Sequence, residues 1–315
     1  MKKLDVVGFG ALNVDKLFNV NQIAGKDEES YITDSTETCG GSAANTIIGI
    51  SRLGLKTGFI GKISTDKEGK LLYKNLKEEG VDTHGIIISP EGRSGTVLGF
   101  VDRQGERALY VDSGVNDLIN FSEIELGYVK NSRLLHLSSF VGRSIEAQKE
   151  LINNINDEIM VSFDPGLIYV DKGIEAIKTI LERTNILLIN EAELKHLIGK
   201  KYKTYQQSAK SLVDHGIDLV IVKLGERGCF IVHSDEEYFI KSFKVKCIDT
   251  TGAGDAFNAG FIYSYLTEKD VEKAGLIGNY VASCSIKKYG ATSGLPNEKE
   301  LKNMSKKIGL SNIIN

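Results

Sequence analysis

The 315 residues, 41% hydrophobic and 26% charged, supply enough apolar material for a large core, and the length suits one large domain without demanding two. A net charge of −3 gives no general basic field, which argues against nucleic acid as the main partner. Cys39, Cys229, Cys247 and Cys284 form no CxxC and the five histidines show no ligand spacing, so reduced thiols in a cytosolic protein are expected rather than disulfides or a Cys/His metal site.

The start, MKKLDVVGFGALNVD, is basic and then apolar like a leader. Asp5 breaks that run and Asp15 bounds it, so it reads as a first strand at LDVVGF, and no apolar run approaches membrane-spanning length. Asn19 to Thr38 is polar and predicts exposed strands or loop. Gly40–Leu53 opens with small residues and continues as a helix with one buried face; TGFIGKI, DKEGKLLYKNLKEEG and IIIS then predict strand, helix and strand. After Gly95, TVLGFVD and RALYVD predict a hairpin. Alternation resumes with strands LLHLS, IMVSFD, ILLIN and DLVIVKLG separated by amphipathic helices, and a second hairpin, CFIVH and EYFI, follows. Continuous apolar strands between such helices indicate a doubly wound, mainly parallel α/β sheet flanked by helices. The strand-rich stretches 16–38 and 95–113 are too polar for that core and are expected to meet as a small sheet at its edge, within a single domain spanning 1–315.

Asp249–Gly260, DTTGAGDAFNAG, carries the most chemistry. A helix N-terminus presents unpaired N–H groups and the positive end of the helix dipole, and it attracts phosphate. Gly252, Ala253 and Gly254 leave that backbone approachable, while Thr250 and Thr251 already offer capping hydroxyls. Asp255 then reads either as another cap or as a base beside an anion site. The following AFNAGFIYSYL is apolar almost all round, so the helix is expected to be buried and rigidly held.

Other candidates each have a plain structural reading as well. Gly41 and Asn45 in CGGSAAN form a second glycine-led helix start. Asn13 and Asp15 follow the first strand, where a parallel sheet exposes its ligand crevice, or form a polar turn. Asn190 and Glu193 in NEAE either organise Mg²⁺ through water or cap the next helix. Lys223, Gly225 and Gly228 in KLGERG pass along a nucleotide or make a tight hairpin entry. Ser138, Ser139 and Phe140 face a pocket, with Phe140 stacking on a base, or belong to the core. Gly8-Phe9-Gly10 has Asn13 where a dinucleotide fingerprint needs its third glycine, and no stretch fits a P-loop.

In this order GGSAAN, NEAE, KLGERG and DTTGAGDAFNAGF resemble the ribokinase (PfkB) family of carbohydrate and nucleoside kinases across nearly the whole chain. The resemblance implies ATP-dependent phosphorylation of a hydroxyl, a primary CH₂OH of a sugar first, with a nucleoside kinase and a non-catalytic sugar- or nucleotide-binding sensor as the alternatives. It makes Asp255 the general base and the amides of Gly252, Ala253 and Gly254 an anion hole. Asn190 and Glu193 would organise Mg²⁺; Gly225 and Gly228 would lie by the ATP, with Asn279 near its adenine. Asn13, Asp15, Gly41 and Asn45 would bind the sugar, and Asp249 with Gly290–Pro296 is placed for a monovalent cation such as K⁺. The small sheet would be a lid and a homodimer contact, with no membrane partner. Ser42 stands where ribokinases carry Lys, and Lys223 where they carry Thr.

Overall fold

The computed structural model describes residues 3–199 and 203–307. Its main sheet contains β1 (Leu4–Phe9), β4 (Thr57–Ser64), β5 (Ile86–Ser89), β8 (Ser132–Ser138), β9 (Met160–Asp164), β10 (Ile186–Asn190), β11 (Leu219–Lys223), β12 (Cys229–His233) and β13 (Glu236–Ile240). Their spatial order is β13-β12-β11-β10-β9-β8-β1-β4-β5. Pairing from β11 across to β5 is parallel, and the hairpin β12–β13 closes the other edge antiparallel. The chain leaves β1 toward β5, then returns to β8 on the other side of β1. That reversal opens the crevice at the carboxyl ends of the strands.

β10 and β11 are buried through their first four residues and become partly exposed only at Asn190 and Lys223, because helices cover both faces of the sheet. One face is covered by α1 (Ser42–Arg52), α9 (Ala253–Glu268) and α10 (Val271–Ser285), whose apolar residues share a core with Ile186, Leu188 and Ile221. The other is covered by α4 (Ser144–Asn154), α6 (Ile174–Glu182), α7 (Glu191–Ile198) and α8 (Tyr205–Asp214), packed on Leu187, Ile189 and Val220.

The second sheet, in order β3-β2-β6-β7, is built from β2 (Asn13–Val20), β3 (Ile32–Gly40), β6 (Gly95–Val101) and β7 (Arg107–Asp112). It begins three residues earlier than the polar composition suggested. Asn13 already pairs with Gly40 and with Gly95, so Asn13 and Asp15 lie on one face of a strand rather than in a turn.

α9 is buried nearly all round from Ala256 to Leu266 and lies against both α1 and α10. A Cβ on Gly49 of α1 would sit 2.6 Å from Ala259 Cβ, so glycine sets how closely α1 and α9 approach. Gly49→Val should therefore cost about 1–3 kcal/mol through overpacking. A urea melt checks this, and an unchanged midpoint would mean that the two helices are not held at that spacing.

Candidate active site

The N-terminus of α9 has no side-chain cap. Gly252 occupies the N-cap position with φ 72°, and a Cβ there would lie 2.6 Å from Ala291 Cβ, so the conformation and the packing both require glycine. The expected capping by Thr250 and Thr251 does not occur. Thr251 instead donates its amide (2.9 Å) and hydroxyl (2.7 Å) to Asp249 Oδ1, while Gly290 N–H donates to Asp249 Oδ2 (2.9 Å). Asp249 thus ties the loop before α9 to the turn at Gly290. Of the three amides expected to form an anion hole, that of Ala253 is turned onto Thr250 O at 3.1 Å. The amides of Gly252 and Gly254, and that of Asp255 itself, have no hydrogen-bond acceptor among the described residues.

Asp255 is half-buried and held from α1. Ser42 Oγ donates to its Oδ1 at 2.7 Å, and Asn45 Nδ2 donates to its Oδ2 at 2.8 Å. Asn45, expected on the sugar, gives one N–H of its amide to the carboxylate, and Ser42 gives its hydroxyl. Gly41 begins α1 at φ 117°, and a Cβ there would meet Ala11 O at 2.2 Å, so the backbone turns against the connection between β1 and β2 only because the side chain is missing. Burial raises the Asp255 pKa to about 6; the hydrogen bonds from Asn45 and Ser42 offset part of the rise and the Asp164 charge adds to it. Asp15 is likewise raised to about 6, first by burial and then by Asp255. Asn13 Oδ1 accepts from Asn116 Nδ2 at 2.9 Å, and Asn116, buried, also bonds Leu12 through both its amide atoms. Asn13 is thereby fixed in orientation.

Beyond the α9 terminus lies a cavity of about 770 Å³, within the range of small-molecule sites, lined among others by Lys223, Gly225, Gly228, Gly254, Phe257 and Asn279. Gly228 has φ 106° and leaves no room for a Cβ, which would stand 2.0 Å from Ile240 O. Asn279 borders the cavity while donating to Ile240 O (3.1 Å) and Lys241 O (3.4 Å), so it ties α10 to the end of β13. Asn190 and Glu193 do not line it. They form a reciprocal capping box on α7, with Glu193 N–H on Asn190 Oδ1 at 2.8 Å and Asn190 N–H on Glu193 Oε2 at 3.0 Å. Burial and then Asp164 raise the Glu193 pKa. Among the described residues no three acidic, His or Cys side chains gather as a direct metal cage.

The floor of the site is a cluster of which the sequence pointed only to Lys223. Lys223 Nζ donates to Asp164 Oδ2 at 2.6 Å and to Asn258 Oδ1 at 3.3 Å, and Asn258 Nδ2 donates to the same Asp164 oxygen at 2.6 Å. Burial opposes both charges. The Lys223 ammonium nevertheless holds Asp164 below the usual carboxylate range, and Asp164 with Glu193 holds Lys223 above the usual lysine range. A signal for Asp164 was present. Ser138, Asp164, Asn190 and Lys223 each terminate an apolar strand on one sheet edge, with Ser138 opposite Asp164 and Asn190 opposite Lys223. Phe140 is 1% exposed and makes a T-shaped contact with Phe9, so it belongs to the core and stacks on no ligand.

The model of the pfkB family carbohydrate kinases matches residues 3–298. An uncharacterized sugar kinase of Archaeoglobus fulgidus is 44% identical over 79% of this chain and 98% of its own length. The ATP-dependent ribose-1-phosphate kinase of Halopiger xanaduensis is 32% identical over 91% of this chain and 94% of its own length. The crystal structure of ribokinase from Thermotoga maritima superposes with a TM-score of 0.85 at 27% identity, covering 96% of this chain and 99% of that one.

If Asp255 serves as a base, its carboxyl, raised to about 6, must be ionised to work, so kcat/KM should fall as pH drops through that value. Asp15 titrates in the same window; if both carboxylates must be ionised for turnover, the acid limb should be steeper than one proton and relax toward a single-proton limb in Asp15→Asn. A pH–rate profile from 4.5 to 8.5 checks this. A flat profile through 6 would contradict the electrostatics of the site.

Proposed function

The chain belongs to the pfkB family of carbohydrate kinases, ATP-dependent phosphotransferases, and on that premise we propose that it phosphorylates a sugar hydroxyl, a primary CH₂OH first, at the N-terminus of α9. The observation that carries this reading is the Asp255 carboxylate, gripped by Ser42 and Asn45 beside amides with no acceptor among the described residues. Asp255 takes the proton from the acceptor hydroxyl, and the freed oxygen pair attacks the γ-phosphorus. The bond from phosphorus to the β–γ bridging oxygen breaks, and its electron pair leaves on ADP. The amides of Gly254 and Asp255, with the positive end of the helix dipole, receive the charge spread over the phosphoryl oxygens.

Asn13, Asp15 and Gly41 lie on the acceptor side and the 770 Å³ cavity on the nucleotide side, with Gly225 and Gly228 along the phosphates and Asn279 toward the base. A magnesium ion carried on the nucleotide would neutralise phosphate charge. Asn190 and Glu193 fit it only through water, because their facing polar atoms are engaged in the capping box. A potassium ion near Asp249 would be met by backbone carbonyls, since both carboxylate oxygens already brace the loop. The small sheet serves as lid, excluding water that would compete for the phosphoryl group. Its exposed Leu109, Tyr110 and Val111 support the expectation of a homodimer contact. No helix among the described residues is long and apolar enough to cross a membrane.

Asp255→Asn should leave ATP binding nearly intact and lower turnover by about 10²–10⁴-fold through loss of the base. Calorimetry with ATP and a coupled ADP-release assay separate the two effects, and full turnover in the variant would exclude Asp255 as base. The acceptor is found by the same assay with ribose, fructose, 2-keto-3-deoxygluconate, adenosine, inosine and cytidine, with and without potassium. Ribose 1-phosphate is added for its place in the name of the Halopiger relative. Phosphorylation of a sugar supports the reading; nucleosides as the only acceptors would replace it with a nucleoside kinase, and ATP binding with no acceptor-dependent ADP release would indicate a sensor.

A further inference from the structure

We propose that Lys223 is a catalytic residue, its ammonium meeting the phosphoryl group from the floor of the site, and that Asp164 and Asn258 are the positioning residues that hold it there. This rests on the phosphotransferase reading, but it concerns a group that the resemblance leaves without a role. Ribokinases carry Thr at this place, and a lysine substitutes a full positive charge for a hydroxyl.

The geometry separates Lys223 from an ordinary buried ion pair. A Cβ on Gly254 would lie 3.4 Å from Lys223 Nζ, so the ammonium sits directly against the first turn of α9, next to amides that have no acceptor among the described residues. Its side chain is only 13% exposed, yet it lines the large cavity. An ammonium has three N–H donors. Two go to Asp164 Oδ2 and Asn258 Oδ1, and the third has no protein acceptor among the described residues.

The tether is itself fixed. Asp164 Oδ2 also accepts from Asn258 Nδ2 at 2.6 Å, and its Oδ1 accepts from Gly166 N–H at 3.2 Å. Asp164 and Asn258 are 6% and 0% exposed, and Asn258 lies one helical turn below Gly254 on the same face of α9. The helix that supplies the amides therefore also orients the ammonium. A phosphoryl group arriving at the amides would carry its negative charge to the free N–H of a cation already desolvated and aligned, where little reorganisation remains.

The test uses Lys223→Met and the neutral pair Asp164→Asn/Lys223→Met in the full chain. The double variant leaves no buried charge uncompensated, so it is expected to fold even if the single variant does not. Without any acceptor, calorimetry should show ATP affinity falling about tenfold in either variant while ADP affinity stays within about twofold, because only ATP carries the γ-phosphate that Lys223 meets. Turnover should fall about 10²-fold in both.

A structural role alone predicts the opposite pattern, with turnover recovering in the double variant along with stability. Turnover within about threefold of the unmodified protein in either variant, or equal losses of ATP and ADP affinity, would overturn the assignment. The ATP-against-ADP comparison needs no acceptor. It therefore decides the role of Lys223 even if no sugar is phosphorylated, the outcome that would sink the function reading instead.

Discussion

Everything in the site depends on a helix terminus kept bare and held still. α9 begins without a side-chain cap, at a glycine in left-handed conformation, and its next residues carry almost no side chain. Such a terminus is normally satisfied by a hydroxyl or a carboxylate of its own. Here the capping threonine hydroxyl is diverted to Asp249, and the amides of Gly252, Gly254 and Asp255 find no acceptor among the described residues. An exposed terminus of this kind would fray if the helix were free. α9 is locked by burial on nearly every face, by close contact of Gly49 with Ala259, and by Gly260 set against Ile277 O.

The same constraint explains the charges around it. Asp255 is attached to the bare terminus but restrained from a second helix, so α1 and α9 must keep their relative position for the carboxylate to hold its two hydrogen bonds. Burial makes its ionised form costly, and nearby Asp164 increases that cost. Lys223, paired with Asp164, pulls the other way. The result is a carboxylate with an affinity for protons midway between an ordinary aspartate and a neutral base, which suits accepting a proton from an alcohol and later releasing it. The second sheet contributes Asp15 to the same field, so the two carboxylates are electrostatically one site.

How much of this could be read from the residues differs by the range of the interaction. ILLIN and DLVIVKLG revealed a parallel sheet because strands covered on both faces are apolar at every position, a property local to each segment. The apolar surround of α9 likewise announced its burial. The edge of the small sheet was misjudged by three residues, because the alternation Leu12-Asn13-Val14-Asp15 is too short to mark a strand and its two polar side chains suit a turn equally well. The partners of Asp255 came from a glycine-led start more than 200 residues away, and the role of Ser42 was invisible without the fold. Asn258 was hidden for a further reason: within an apolar helix a single amide reads as a tolerated exception, and only the approach of β9 and β11 shows that it bridges a buried pair. The short helix α5 (Gly166–Asp171) and the stretch between β7 and β8 carry no periodicity long enough to read.

The central claim is that the amides opening α9 receive the phosphoryl group. A crystal structure with a non-hydrolysable ATP analogue tests it most directly. The account predicts terminal phosphate oxygens within about 3.2 Å of the Gly254 and Asp255 amide nitrogens, with the carboxylate of Asp255 facing the acceptor side. A terminal phosphate lodged elsewhere, with those amides closed over by protein atoms, would contradict it.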